Sequence, residues 1–247
     1  MNAKHLFLKM YLDSQRDCRR SVLDLMERQT DATYLDCGCG DGSFTSEAAR
    51  KLGIKDAYGI EISEQAAASA AECGVRVLLS SLNDPYPFPD CLFDVVSANQ
   101  VIEHVSDTDH FLRDMYRVLK PGGYAIVSTN NLASWHNVAA LIAGYQPFPS
   151  DVSAQVQIGK PVALFRGDAG ALAHLRIFTY PALKGLLEHH GFTVEAVVGV
   201  GYYPLGASLG NRVARLDKRH SAYLTAKVRR PANVIPLAPS ASARTDE

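Results

Sequence analysis

The run Leu35-Asp36-Cys37-Gly38-Cys39-Gly40-Asp41-Gly42 constrains this chain more than any other segment. It follows a short apolar stretch, Ala32 to Asp36, and precedes Ser43 to Leu52, whose apolar residues recur at helical spacing. Glycine has no Cβ, so such a turn lets the backbone approach a ligand closely. The helix beginning just after it offers unpaired N–H groups. The run therefore predicts a buried strand, a tight ligand-binding turn and a helix closed by Gly53.

The same rhythm continues downstream. Ala57 to Glu61 reads as a strand, Glu64 to Cys73 as an alanine-rich helix, and Val75 to Ser80 as a strand. Phe93 to Ala98 is a further strand, Asp107 to Leu119 a helix and Tyr124 to Thr129 a strand, with Pro121-Gly122-Gly123 as the breaker before it. Strands and helices alternating at this spacing imply an α/β fold with a mostly parallel sheet and helices on both faces. An amphipathic helix over residues 5–28 precedes it, with Leu6, Met10, Leu12, Val22, Leu25 and Met26 as candidate core contacts. Leu132 to Ala143 looks helical, and 144–173 is irregular and rich in proline and glycine, as a substrate-side insert would be. Tyr180 to His190 returns to helix, and Phe192 to Gly201 and Ser221 to Arg229 read as paired strands. The expected organisation is one domain over 1–230, with 131–178 as its insert and a flexible tail over 231–247.

Composition narrows the function classes. The 247 residues are 47% hydrophobic and 21% charged with a formal net charge of −1, which favours neither nucleic acid nor an anionic membrane as partner. No apolar run approaches the roughly 18–20 residues of a membrane span, and Met1 to Met10 lacks the pattern of a signal peptide, so a cytoplasmic protein is expected. The oligomeric state is left open. The five cysteines have no disulfide-framework spacing. Cys37 and Cys39 read as small turn residues, because no second Cys/His pair stands near them to complete a metal site.

The carboxylates of the turn refine its ligand. Asp36 and Asp41 would put negative charge where a dinucleotide places its pyrophosphate. They suit instead a cationic ligand such as the ammonium and sulfonium of S-adenosylmethionine. Glu61 ends the next strand about twenty residues on, where an acid can accept hydrogen bonds from two ribose hydroxyls.

Four segments in order and spacing, Leu35 to Phe44, Tyr58 to Ser63, Pro87 to Val96 and Arg117 to Gly123, resemble the class I S-adenosylmethionine-dependent methyltransferases of the methyltransferase domain 11 type. The resemblance covers about residues 30–130. It implies a Rossmann-like sheet of seven strands whose last strand is antiparallel, formed by a hairpin of strands six and seven. It also implies S-adenosyl-L-methionine as cofactor, with Asp36, Gly38 and Gly40 around the methionine moiety, Glu61 at the ribose and Ile62 against the adenine; Asp41 joins this cofactor set through its charge in the turn. The adenine-side position falls on Ser81 and Leu82, where Ser81 departs from the usual Asp; Asn83 or a backbone carbonyl is the substitute acceptor. Asn99 and Gln100 fall beside the methyl-transfer position.

Methyl transfer often requires a base to take a proton from the acceptor, and histidine is poised for that near neutrality. His104, in Asn99-Gln100-Val101-Ile102-Glu103-His104, is the first candidate; the other reading is that Glu103-His104 orients its loop. His136 is the second, with Trp135 beside it as a cover for an apolar acceptor or as an anchor of its helix. His174, Arg176 and Tyr180 border the insert, as acceptor contacts or as groups that satisfy backbone. His189-His190 reads as structural at a helix end. Some relatives bind a divalent metal through Glu-x-x-Glu-His at this place; Gln100 stands where the first acid would be, so no metal is expected. The basic stretch Arg212, Arg215, Lys218, Arg219, Lys227, Arg229 and Arg230 reads as a solvated helix and strand face; the other reading is a hold for a phosphate-bearing or acidic partner. These readings converge on a methyltransferase acting on a small-molecule acceptor, on oxygen. The alternatives are a catalytically silent cofactor-binding module and a nicotinamide-dependent oxidoreductase.

Overall fold

The computed structural model describes residues 3–153, 155–161 and 174–233, with the side chains of 3–8, 10 and 11 left aside. The tail expected over 231–247 therefore lies mostly outside the described residues, as do part of the insert and the side chains of Leu6 and Met10.

The elements in order are α1 (Ala3–Leu25), β1 (Tyr34–Cys37), α2 (Ser43–Leu52), β2 (Ala57–Glu61), α3 (Glu64–Glu72), β3 (Val75–Leu79), β4 (Phe93–Asn99), α4 (Thr108–Val118), β5 (Leu119–Asn130), α5 (Trp135–Ile142), α6 (Tyr180–His189), β6 (Thr193–Val200), α7 (Ala207–Leu216), a 3-10 turn (Lys218–His220) and β7 (Tyr223–Arg229). The strands form one seven-stranded sheet in the order β3-β2-β1-β4-β5-β7-β6. β1 to β5 pair in parallel, and β7 runs antiparallel to both β5 and β6. The order reverses between β1 and β4, which opens a crevice at the carboxyl ends of the strands, where open α/β sheets hold ligands.

Strand alternation divides the core. Tyr34, Val95, Tyr124 and Ile126 face Val22 and Met26 of α1 and Phe44, Ala48 and Leu52 of α2. Leu35, Val96, Ala125, Val127, Leu224 and Ala226 face Phe111, Leu112 and Met115 of α4 and Leu183 and Leu187 of α6. Leu12, expected in the core, is instead 51% exposed, because α1 turns it away from the sheet. Local signals mark the helix starts: Asp107 accepts from His110 N, Ser63 from Ala66 N and Thr179 from Ala182 N.

Two details differ from the sequence expectations. β5 begins at Leu119 rather than after Pro121-Gly122-Gly123, since Leu119 pairs with Phe93 before a bulge leads to Tyr124 opposite Val95. Gly122 at φ 84° supplies the left-handed step, and a Cβ on Gly123 would lie 2.9 Å from Asp94 O. Strands six and seven are joined by α7 and a 3-10 turn rather than by a tight hairpin.

Candidate active site

The turn after β1 is built as a cradle. Gly38, Gly40 and Gly42 take φ values of 73°, 55° and 77°, a region costly for any side chain. A Cβ on Gly38 would lie 2.7 Å from Val101 Cγ2, and one on Gly42 2.7 Å from Ala70 Cα, so both seat the turn against neighbours. A Cβ on Gly40 would meet nothing within 4 Å, so Gly40 borders open space. The cysteines of this run are packed into the fold: Cys37 is buried in the core of the α4 side, and Cys39 packs with Ala70 and Val75. Burial pushes both thiols up, Cys39 to about 12.

Glu61 joins this cradle. Its Oε2 accepts from Gly40 N at 2.9 Å, and its Oε1 accepts from Ile62 N and Ser63 N, each at 2.9 Å. The carboxylate is thereby fixed at the mouth of the turn, and the Ile62 side chain beside it is 58% exposed. Asp41 accepts from Ser43 N at 2.9 Å, and hydrogen bonding by Ser43 lowers its pKa.

Asp36 differs from both. It is 1% exposed, and it accepts from Thr45 Oγ1 and Ser97 Oγ, each at 2.6 Å. Tyr34 OH lies 2.6 Å from the same Ser97 hydroxyl. Burial pushes the Asp36 carboxyl up to about 7, against the lowering pull of the two hydroxyls. Asp36 thus forms the floor of the turn.

Beyond β3, Leu82 packs against the core while Ser81 Oγ accepts from Asn83 N at 3.1 Å. Asn83 Oδ1 accepts from both Ser106 N and Ser106 Oγ at 2.7 Å, so the substitute acceptor is engaged with the loop after β4. At the end of β4, Asn99 Oδ1 accepts from Ser128 Oγ at 2.6 Å. Gln100 follows in the left-handed region at φ 59°, with its N donating to Ser128 O at 3.1 Å and its Nε2 lying 3.6 Å from Cys18 Sγ. Among the described residues only Cys91 and Gln100 take a positive φ without being glycine. Sequence reasoning missed Cys18 and Ser128 as partners of this pair. Cys18 comes from α1, and no local pattern could place it there.

His104 is brought beside a residue remote in sequence. Its ring centroid lies 4.8 Å from that of His174, and these two histidines and Glu103 have side-chain nitrogen or oxygen atoms all within 4.8 Å of one another. Glu103 is fully buried, its oxygens accepting from Thr129 Oγ1 at 2.9 Å and Asn130 Nδ2 at 3.2 Å, and burial pushes it up to about 7. Its backbone carbonyl accepts from Leu175 N and Arg176 N, and this fastens the returning segment beyond the carboxyl end of β4. His174 Nδ1 lies 2.7 Å from Pro149 O. Nearby, Lys160 and Asp151 form a 2.6 Å ion pair whose side chains are only 4% and 6% exposed.

His136 occupies different surroundings, its ring 4.9 Å from Tyr203 and 5.5 Å from Phe148, with Ser134 Oγ 3.3 Å from Nε2. Burial pushes its pKa down to about 4. Trp135 is 47% exposed and stacks on His220 at 4.4 Å. His190 is nearly buried and bonds Asp109 at 2.8 Å, tying α6 to α4. The basic stretch is less solvated than expected. Lys227 and Arg229 pair with Glu27 and Glu195, and Arg230 donates to the carbonyls of Tyr116, Arg117 and Leu119.

Comparison with known proteins agrees with this architecture. A family model described as "Methyltransferase domain" matches residues 10–197. The chain is 30% identical over 233 residues to a probable S-adenosylmethionine-dependent methyltransferase of Mycolicibacterium smegmatis, covering 90% of this chain and 76% of that protein. It is also 30% identical over 186 residues to the ubiquinone biosynthesis O-methyltransferase of Idiomarina loihiensis, covering 67% and 74%. The match to the mitochondrial ubiquinone biosynthesis O-methyltransferase of Rattus norvegicus, at 27% identity, covers 69% of this chain and 47% of that protein. Among solved structures, a methyltransferase from Thermotoga maritima described as a possible histamine N-methyltransferase superposes with a TM-score of 0.60 at 20% identity, over 91% and 94% of the two chains. At that identity the likeness speaks for the fold. No helix among the described residues is long and apolar enough to cross a membrane.

Proposed function

The chain belongs to the S-adenosylmethionine-dependent methyltransferases, and from that premise we propose that it methylates a hydroxyl oxygen of a small-molecule acceptor held at the carboxyl ends of β4 and β5. Family membership removes the nicotinamide-dependent alternative.

The open space in front of Gly40, flanked by a carboxylate that three backbone N–H groups hold in place, is the observation that carries the cofactor site. Gly38 and Gly40 would hold the methionine moiety there, above the Asp36 floor and beside Asp41. Glu61 Oε2, which accepts a single N–H, keeps a lone pair for a ribose hydroxyl. Ile62 would cover one face of the adenine, with Ser81 and Leu82 at its rim, and Asn99 and Gln100 would border the transfer position. S-adenosylmethionine, when bound, supplies a methyl group on positively charged sulfur.

The chain's own task is then to orient the acceptor and manage its proton. Transfer to a hydroxyl makes an O–CH3 bond, breaks the S–CH3 bond and releases the hydroxyl proton. His104 is the residue we assign to that oxygen, supported by its place at the strand-end rim and by the imidazole of His174 beside it. His136, with a pKa of about 4, is a weak base, so it serves as a wall of the pocket together with Phe148 and Tyr203. The O-methyltransferase names among the relatives support oxygen as the acceptor atom.

The test is incubation with methyl-labelled cofactor and a panel of hydroxylated and amine-bearing small molecules. Label is expected in an ether product, with turnover falling about 10²–10⁴-fold in His104→Ala, the usual worth of acid–base assistance. Label confined to nitrogen would overturn the oxygen assignment. Bound cofactor with no transfer to any acceptor would favour the silent module.

A further inference from the structure

We propose that the outward faces of α5 and α7, with the basic 3-10 turn that follows α7, dock on the surface of an anionic phospholipid bilayer.

Three observations carry the inference. The first is an exposed apolar face on α5. Asn137 and Ala140 are buried against the fold, whereas Trp135, Ala139 and Ile142, at i, i+4 and i+7, share the opposite side. Ile142 is 83% exposed, Leu141 and Tyr145 extend the patch, and no Asp, Glu, Lys or Arg occurs from 135 to 145. The second is the face of α7. Gly210 and Ala214 are buried, while Leu209, Arg212 and Leu216, at i, i+3 and i+7, form an exposed stripe with Arg215 beside it. Leu216 is 90% exposed.

The third is the seam between the two helices and its charge. The Trp135 ring stacks on His220, and its Nε1 donates to Asp217 Oδ2 at 3.4 Å, so α5 and the end of α7 form one surface. Over 207–220 the cationic Arg212, Arg215, Lys218 and Arg219 stand against one carboxylate, Asp217, whose oxygens are engaged by Trp135, Tyr202 and His220. This is a formal +3 in a chain whose total is −1, so the overall charge conceals a local basic patch.

Exposed apolar residues scattered singly are ordinary on a protein surface. Here they adjoin guanidinium groups along two neighbouring helices, which is the pattern of helices that lie in a membrane interface. The apolar side chains enter the acyl boundary, the long basic ones reach the phosphates, and tryptophan sits at the level between. A soluble polyanion would meet the arginines and leave Leu141 and Ile142 in water. A second copy of the chain, packed isologously, would bring the four cationic side chains against their own kind. The surface also adjoins the site. Asn130, the last residue of β5, pairs with Tyr223, the first of β7, so Trp135 and the turn Lys218–His220 stand just past the carboxyl end of the sheet. The docking surface does not depend on which acceptor atom is methylated.

Trp135 is the chain's only tryptophan, so its emission reports on this face directly. The full chain is mixed with vesicles of equal parts phosphatidylcholine and phosphatidylglycerol, with vesicles of phosphatidylcholine alone, and with inorganic phosphate. Co-sedimentation with the anionic vesicles and a blue shift of emission are expected there, with no shift in the other two mixtures. Arg212→Gln combined with Arg215→Gln should weaken vesicle binding at least tenfold, since each basic residue near an anionic surface strengthens it about fivefold. Ile142→Asp should weaken it at least tenfold and abolish the shift. Thermal melting reports that each variant is folded; should one fail to fold, quenching of Trp135 in the parent chain by bromine-labelled lipid decides. Absence of binding or of quenching in the parent chain would overturn the surface, as would equal binding to both kinds of vesicle. Undiminished binding by folded Ile142→Asp would do the same, by showing adsorption through charge alone. A parent dimer in sedimentation velocity that Ile142→Asp turns into a monomer would give the face to a second copy instead. None of these readouts needs turnover, so failure here and failure of the oxygen assignment remain distinguishable.

Discussion

Asp36, which is buried, and His136, which is partly buried, respond to pH in opposite directions. Asp36 has a folded pKa of about 7 against an ordinary value of 3.8, so between about pH 4 and pH 7 the folded state holds a proton that the unfolded chain has lost. Its contribution to stability is therefore greatest in acid, declines as pH rises through that window and is constant above it. Asp36→Asn should flatten this decline, read as the difference in urea midpoint between pH 5 and pH 8. His136 has a folded pKa of about 4 against 6.5, so its neutral form is favoured and stability is lost as pH falls from 6.5 towards 4. In an NMR titration its imidazole should still be neutral at pH 5.5, and a protonated ring at that pH would contradict the burial described. Gly38→Ala combines a left-handed φ with a 2.7 Å contact to Val101. It should weaken cofactor binding at least tenfold in calorimetry while the protein stays folded.

At the scale of elements, the parts legible in the sequence are those built by local periodicity. The β1 turn, the α2 and α4 helices and the parallel strands follow from apolar spacing and glycine punctuation within windows of about ten residues. α7 was not foreseen, because its polar sequence, with glycines at 206 and 210, gives a weak helical signal. The site was legible where one motif supplies its residues, as with Gly38, Gly40 and Glu61. It was illegible where separate elements meet, as with Cys18 against Gln100, Thr45 and Ser97 against Asp36, and His174 against His104. The insert gives the next prediction. Lys160 and Asp151 are almost completely buried as a pair, so Lys160→Ala strands a carboxylate, at a cost of about 3–5 kcal/mol when a buried pair loses one partner. That loss should fall on residues 144–161, seen as faster amide exchange there with β1 to β5 unchanged.

For the whole molecule, the cofactor cradle spans β1, β2 and α2, so occupancy should stabilise the domain by mass action. S-adenosylmethionine at a hundred times its dissociation constant should add about 2.7 kcal/mol, which in a chain of this size raises Tm by about 5–10 °C. A nicotinamide dinucleotide should leave Tm unchanged. The strand order carries a separate consequence for synthesis. β7 lies between β5 and β6 and is the last strand of the sheet in sequence, so β6 has no partner strand until residues 223–229 are available. On a ribosome, the first five strands can assemble as the chain emerges, while β6 waits as an unpaired edge. Nascent chains stalled before residue 223 should therefore engage a chaperone that binds exposed strands, and release should follow once β7 clears the exit tunnel.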